Sequence, residues 1–484
     1  LTQSAVPADH DEQRSPLRAG TLRAPAVRAC MMRVADRVAA AFDERGAFAE
    51  PTHSRVLESA LMLTLLRRHN RYPHVQTRLQ HFIATRRTDP HLHPVEQLLA
   101  QAALSFAQPP PTLVQGLDQA LDQALDGIPA HTRGRKQLLF ALHLAVLGQG
   151  TYPPRAARLD YRGQSTWAEL TGCAMKILAT HGLGHRPDAQ DQRFLTTRLA
   201  ASRREVWEGN VGAHTLALLA LHTTDPGNRL VADGIDALLK VANPDGGLPF
   251  IPDHTLFITS VAGLALARCA PPHHHELLVR IGDYLAEHQN DDGGWAYTER
   301  VTQADVESTG AALEALHALN PTRYSHALTS GRAHLAALAG EDGGFPTYLR
   351  GEPSEPVMTA NAVLALAPDP HRYAALLHRA ALFLLHAQQP DGTFERSWSL
   401  TQAHALRRTT AALTCLRTTS DQTLSARIDQ ALHRAGGYLQ HAQNTDGGFG
   451  HQAGDASDVT STAHALSTAA TLNQPPWTAQ AIAY

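Results

Sequence analysis

Small and apolar residues recur at helical spacing along most of this chain, in stretches such as VTSTAHALSTAATL, TANAVLALA and TTAALTCLR, with almost no strand-like alternation. The pattern predicts an all-α protein. In the C-terminal half the helical stretches are punctuated by five Asp-Gly turns: NPDGGLPF from Asn243, QNDDGGWAY from Gln289, GEDGGFPTY from Gly340, QQPDGTFERSW from Gln388 and QNTDGGFGH from Gln443. Marked by Asp245, Asp292, Asp342, Asp391 and Asp446, they are spaced 47, 50, 49 and 55 residues apart. A period near fifty fits a repeated pair of helices. Glycine supplies the left-handed turn, Asp and Asn bond nearby backbone, and the aromatic that follows packs between neighbouring helices. Such pairs cannot bury their apolar faces alone, so they stack into an open solenoid or close into a ring with a hollow centre.

Residues 25–225 also read as helices, with VLESALMLTLLRR, KQLLFALHLAVLG and WAELTGCAMKILATHG as amphipathic segments, but without the period. The segment GAFAE at Gly46 has the flavour of a repeat turn. The expected organisation is a disordered tail over 1–24, an N-terminal helical domain over 25–225, inserted into the other domain or leaning on it, whose early helices contribute to the other barrel, and a repeat domain over 226–484.

Composition narrows the functions. Of the 484 residues 43% are hydrophobic and 18% charged, with a net charge of −3, which gives no electrostatic grip on nucleic acid. Cys30, Cys173, Cys269 and Cys415 form no CxxC pair, and no apolar run reads as a signal core or a membrane span. A cytoplasmic location is expected, and the oligomeric state cannot be read. Cys269 with His273, His274 and His275 is metal-like in composition, but a proline-bearing loop favours a solvated reading.

The turns resemble the QW-type repeats of the squalene–hopene cyclase and prenyltransferase superfamily. That resemblance implies an α/α toroid, with a second helical barrel in the N-terminal half similar to that of bacterial class II terpene cyclases. These enzymes place an acidic DxDD-like sequence at the start of an inner helix. This chain has DVESTG from Asp305. By resemblance Glu307 is the general acid, supported by Asp305 and Ser308, and it protonates the distal alkene of a prenyl diphosphate. Such an acid has to be dry, neutral and oriented. Read without the resemblance, DVEST is an ordinary helix cap, and DASDVTST from Asp455 has the same outline without the middle acid. The family has Asp where this chain has Glu307. Either the cavity has adjusted to the longer acid, or an Asp has been exchanged to slow turnover, and the departure favours the second.

The family implies further residues. Arg396 in ERSW matches its basic-plus-Trp segment and is assigned to the diphosphate with Lys176, Arg407 and Arg408 being weaker candidates chosen by charge and helix position. Trp295, Trp398 and Phe345 are offered as cavity aromatics, with packing as the ordinary alternative. For Mg2+, an Asp and a Glu separated by six residues point to Asp43 and Glu50, ahead of Asp292 and Glu299. The class I DDxxD signature is absent, so the diphosphate should be retained. The resemblance is greatest to compact members acting on farnesyl diphosphate to give a bicyclic drimane-type diphosphate. Geranylgeranyl diphosphate, giving a copalyl- or halimadienyl-type product, is the alternative. A protein prenyltransferase subunit and a noncatalytic binding toroid are the rival functions, and the first lacks its Asp-x-Cys zinc ligand here.

Overall fold

The computed structural model describes residues 24–48, 50–89, 92, 94–105, 130–202, 204–269, 272–396, 399, 401–418 and 420–484. The expected tail and Trp398 lie outside the described residues. The chain divides into two compact units. Among the described residues, one spans 50–254; the other joins 24–48 with 255–484. The division thus falls at His254, later than 225, and the early helix that follows the tail belongs to the C-terminal unit.

The first unit contains α2 (Val56–His69), α3 (Pro73–Arg87), α4 (Pro94–Leu104), α5 (Ala130–Val146), α6 (Thr166–Gly182), α7 (Ala189–Ala201), α8 (Val211–Thr224) and α9 (Arg229–Lys240). Its core is built on α2, α6 and α8. In α8 every residue from Ala213 to Leu221 is buried, as expected of a central helix that is apolar all round. Ser54–Arg55 pairs antiparallel with Leu248–Pro249, so the unit's two ends are joined.

The second unit holds α1 (Ala24–Ala39) and five helix pairs. Its inner helices are α10 (Thr255–Cys269), α12 (Val306–Leu319), α14 (Pro356–Leu366), α16 (Gln402–Arg417) and α18 (Val459–Thr471), each packed against the next. Their outer partners are α11 (His275–Glu287), α13 (Ser325–Leu338), α15 (Ala374–Ala387), α17 (Gln422–Ala442) and α19 (Thr478–Ala483). The two layers show in the sequence chemistry. In α14 all residues but Leu364 are buried, whereas α17 buries one stripe.

Each turn joins an outer helix to the next inner one through the same bonds. The N–H of Asn290 donates to Gly294 O at 2.9 Å, and the N–H of Gly293 returns to Asn290 O at 2.8 Å. Gly340–Gly344, Gln389–Thr393 and Asn444–Gly448 repeat that pair of bonds. Asp292, Asp342, Asp391 and Asp446 each accept the N–H two residues on. In three of these four turns, at Gln289, Gln388 and Gln443, a preceding Gln completes the lock. Gln388 donates to Gly392 O at 3.1 Å and Ala431 O at 2.9 Å, tying the turn to the next outer helix, because a primary amide offers two N–H groups.

Two turns change the membership of the series but not its number. Asp43 N–H donates to Ala47 O, Gly46 has φ 87°, and Phe48 N–H donates to Thr259 Oγ1 as Trp295 N–H does to Thr309 Oγ1. This is the first turn of the toroid. The Asn243 turn has the same local chemistry, with Gly246 at φ 88°, but belongs to the first unit. The first unit is therefore inserted between the first turn and its inner helix.

Glycine is required at these sites for two reasons. Gly392 has φ 91°, and a Cβ there would stand 2.3 Å from Arg434 O. Gly392→Ala is expected to lower stability by roughly 2–4 kcal/mol, as backbone strain and overpacking add. The urea midpoint of the variant measures this.

Candidate active site

The toroid's inner helices carry their N-terminal turns in register, fixed by the threonines that accept the turn N–H: Thr259, Thr309, Thr359 and Thr462. Two residues before these threonines stand Phe257, Glu307, Val357 and Thr460, and α16 has Ala403 two after its cap Thr401. Glu307 is the one acid among these five positions. A carboxyl where the other helices carry apolar or neutral groups does not follow from the repeat.

Its neighbour Asp305 is a cap. Asp305 accepts the Ser308 N–H at 2.6 Å, and the same bond joins Asp458 to Ser461 N–H at 2.8 Å in α18. Ser308 and Asp305 therefore hold the helix start. Burial raises the Asp305 proton affinity to about 6, against the hydrogen bonds from Ser308 and the Glu307 backbone that favour its anion.

The Glu307 carboxyl has no hydrogen bond to the described residues, and it keeps accessible surface although protein surrounds it deeply. Glu307 is thus half-buried in a crowded part of the second unit. Burial, then the Asp305 charge, raise its pKa to about 7, and the Arg408 cation works in the opposite direction. Asp305 and Glu307 titrate as a coupled pair that tends to keep a proton near neutrality.

Stability should follow the same linkage. The pKa of Glu307 is higher in the folded protein than the ordinary 4.5, so its contribution is most favourable at low pH and is lost as pH rises through about 7. Glu307→Gln should therefore gain stability over the unmodified protein between pH 5 and 8, with the difference growing as pH rises. Denaturation midpoints at several pH values test the sign.

Arg408 joins three inner helices. Its guanidinium donates to Asn361 Oδ1 at 2.6 Å and to Glu314 Oε1. Sequence reasoning offered it only as a weak diphosphate candidate, since a contact among α12, α14 and α16 leaves no local pattern. Beside it Arg407 is largely buried. Burial and Arg408 lower its pKa to about 10, and its Nε has no hydrogen-bond partner.

The structure reassigns several other expected residues. Trp295 is 0% and Phe345 1% exposed, so neither ring can line a hollow. Trp295 Nε1 donates to Leu285 O at 2.7 Å, and both residues belong to the core between the layers. Lys176, in the first unit, lies 2.9 Å from Asp191 and is engaged there, with Tyr161 donating to the same carboxylate at 2.7 Å. Arg396, in the second unit, follows the Gln389–Thr393 turn and is half-buried.

Asp43 is engaged in its own turn: Oδ1 accepts the N–H groups of Arg45 and Ala47, and Oδ2 accepts Arg45 Nε at 3.0 Å, while Glu50 belongs to the first unit. Asp292 likewise serves its turn, and Glu299 accepts from Tyr284 Oη with Arg45 beside it.

A toroid of inner and outer helix pairs with an unbonded, protonatable carboxyl on an inner helix fits the class II terpene cyclases. The family model described as the prenyltransferase alpha-alpha toroid domain matches residues 258–483. The ent-copalyl diphosphate synthase of Streptomyces platensis shares the fold, with TM-score 0.56 at 17% identity over 94% of this chain and 91% of that one. Two relatives are closer in sequence. The drimenyl diphosphate synthase of Streptantibioticus cattleyicolor is 38% identical over 449 residues, 90% of this chain and 83% of that protein. The drimenyl diphosphate synthase of Streptomyces showdoensis is 38% identical over 451 residues, 92% and 83% respectively. The chain belongs to the drimenyl diphosphate synthase family of class II terpene cyclases.

Proposed function

We propose that this enzyme cyclises farnesyl diphosphate to a bicyclic drimane-type diphosphate, beginning with proton transfer from Glu307 to the distal alkene. The observation that carries the reading is the Glu307 carboxyl: unbonded, raised in proton affinity to about 7, and alone in its register among the inner helices. The two named relatives supply the substrate class.

The alkene π electrons take the Glu307 proton, which leaves a carboxylate on Glu307 and a tertiary cation on the substrate. Two ring closures move the cation along the chain, and loss of a proton restores neutrality. The carbon–oxygen bond to the diphosphate is not broken. The Asp305 anion would oppose loss of the Glu307 proton, and Arg408 favours the carboxylate left behind. The balance keeps a proton available and still allows its transfer. Arg396 is proposed to contact the diphosphate. Arg396→Ala should then raise KM for the substrate with a smaller effect on kcat.

Incubation with farnesyl and geranylgeranyl diphosphates and Mg2+, followed by product analysis before and after phosphatase, tests the reading. It predicts a cyclic alcohol from farnesyl diphosphate that is seen only after phosphatase. Glu307→Asp, which shortens the acid by about 1 Å toward the family's geometry, should raise turnover by up to about a hundredfold. A cyclic product from geranylgeranyl diphosphate alone would overturn the substrate assignment, and free inorganic diphosphate would overturn the reaction class.

A further inference from the structure

We infer that Asp36, His273 and His274 form a binding site for one divalent transition-metal ion of the zinc class, which clamps α1 to the connection between α10 and α11. All three residues belong to the second unit. His273 Nε2 and His274 Nε2 lie 3.2 and 2.8 Å from the same oxygen, Asp36 Oδ1, and one donor atom from each residue falls within 4.8 Å of the others. Bonds of about 2.0–2.1 Å to a tetrahedral ion place neighbouring donors roughly 3.3 Å apart, so small movements would admit the ion. Two imidazoles and a carboxylate suit zinc, cobalt or nickel, and the fourth position would hold water. Magnesium, which prefers oxygen donors, is a poor match.

Access favours the same reading. The Asp36 side chain is 52% and the His273 side chain 63% exposed, so an ion reaches them from solvent, while the His274 ring is held at 15%. Cys269 stands apart from the set, because its thiol is bonded to Ala265 O within its own helix.

The position gives the site a structural task. Asp36 and His273 are 237 positions apart, since the whole first unit is inserted between α1 and α10. The first helix of the toroid, α1, packs against α10 but is separated from it in the chain by the whole first unit. A bound ion would close that gap within the second unit.

Tag-free protein, stripped of metal with a chelator and dialysed, should be titrated with Co2+ in excess Mg2+ while the visible d–d absorption is followed. One Co2+ per chain with a tetrahedral spectrum is expected. Asp36→Asn and His274→Ala should each weaken binding at least about tenfold, and Cys269→Ser should leave it unchanged. Addition of Zn2+ should slow amide hydrogen exchange of α1 in the unmodified protein and not in Asp36→Asn. Absence of a tetrahedral spectrum, or equal binding by an Asp36→Asn/His274→Ala double variant, would overturn the site. Binding without slower exchange in α1 would overturn the clamp.

Discussion

Glu307→Gln should lose cyclisation by about three orders of magnitude while folding at least as well as the unmodified enzyme above neutral pH. The amide matches the carboxyl in shape but carries no proton that an alkene can take. No other acid occupies this register on the inner helices, and Asp305 is held by the first turn of α12, where it accepts the Ser308 N–H. In the unmodified enzyme kcat should fall as pH rises through about 7, because the reaction draws on the neutral form of a group whose burial and neighbouring Asp305 raise its pKa to about that value. Product formation and melting midpoint are measured on the same preparation. A Gln variant that retains a tenth of the activity would remove Glu307 from the reaction. A variant that is inactive and also unfolded would show only that the residue is structural, and the predicted gain in stability above pH 7 would then be wrong as well.

Arg408→Ala should lower stability by about 3–5 kcal/mol, since it leaves Glu314 in the interior with its charge uncompensated. The two side chains are 13% and 10% exposed, and Asn361 loses its guanidinium partner at the same time. Because the Arg408 cation lowers the Glu307 pKa, the variant's acid should be weaker, with the falling limb of its pH–rate profile moved to higher pH. Arg408→Lys restores the charge but not the fork, so it should recover the pH profile more fully than the stability. Urea unfolding of the three proteins measures the first effect. A loss under 1 kcal/mol for the alanine variant would show that the pair contributes little. An unmoved pH limb in a folded variant would separate Arg408 from the acid.

The turns were legible in the sequence because their chemistry is local. Glycine at positive φ, an Asp that accepts two residues on, and a Gln that reaches two carbonyls all leave a mark within a few positions of Asp292, Asp391 or Asp446. Locality also explains the error at each end of the series. The Asn243 turn carries the Asp-Gly-Gly run but not the Gln, and serves the first unit; the Asp43 turn, which opens the toroid, lacks both the Gln and the second Gly. No short-range pattern reports an insertion. Glu307 was singled out through its resemblance to a family motif, and DASDVTST marked the Asp305 and Ser308 outline as a cap, which the matching bonds in both helices show.

Long-range polar contacts could not be read in the same way. Arg408, Asn361 and Glu314 come from three helices, and Asp36 meets His273 and His274 only after the first unit has been looped out. The aromatics failed for a different physical reason. The residue after a turn points between the layers, so Trp295 and Phe345 are spent on the core, although their composition suits a cation-lined hollow.

Incubation of the enzyme with farnesyl diphosphate in D2O, followed by mass and NMR analysis of the dephosphorylated product, tests the central claim most directly. Protonation by Glu307, whose proton exchanges with solvent, predicts a cyclic product with one deuterium on the ring carbon derived from the distal alkene. A cyclic product without deuterium at that carbon would contradict it.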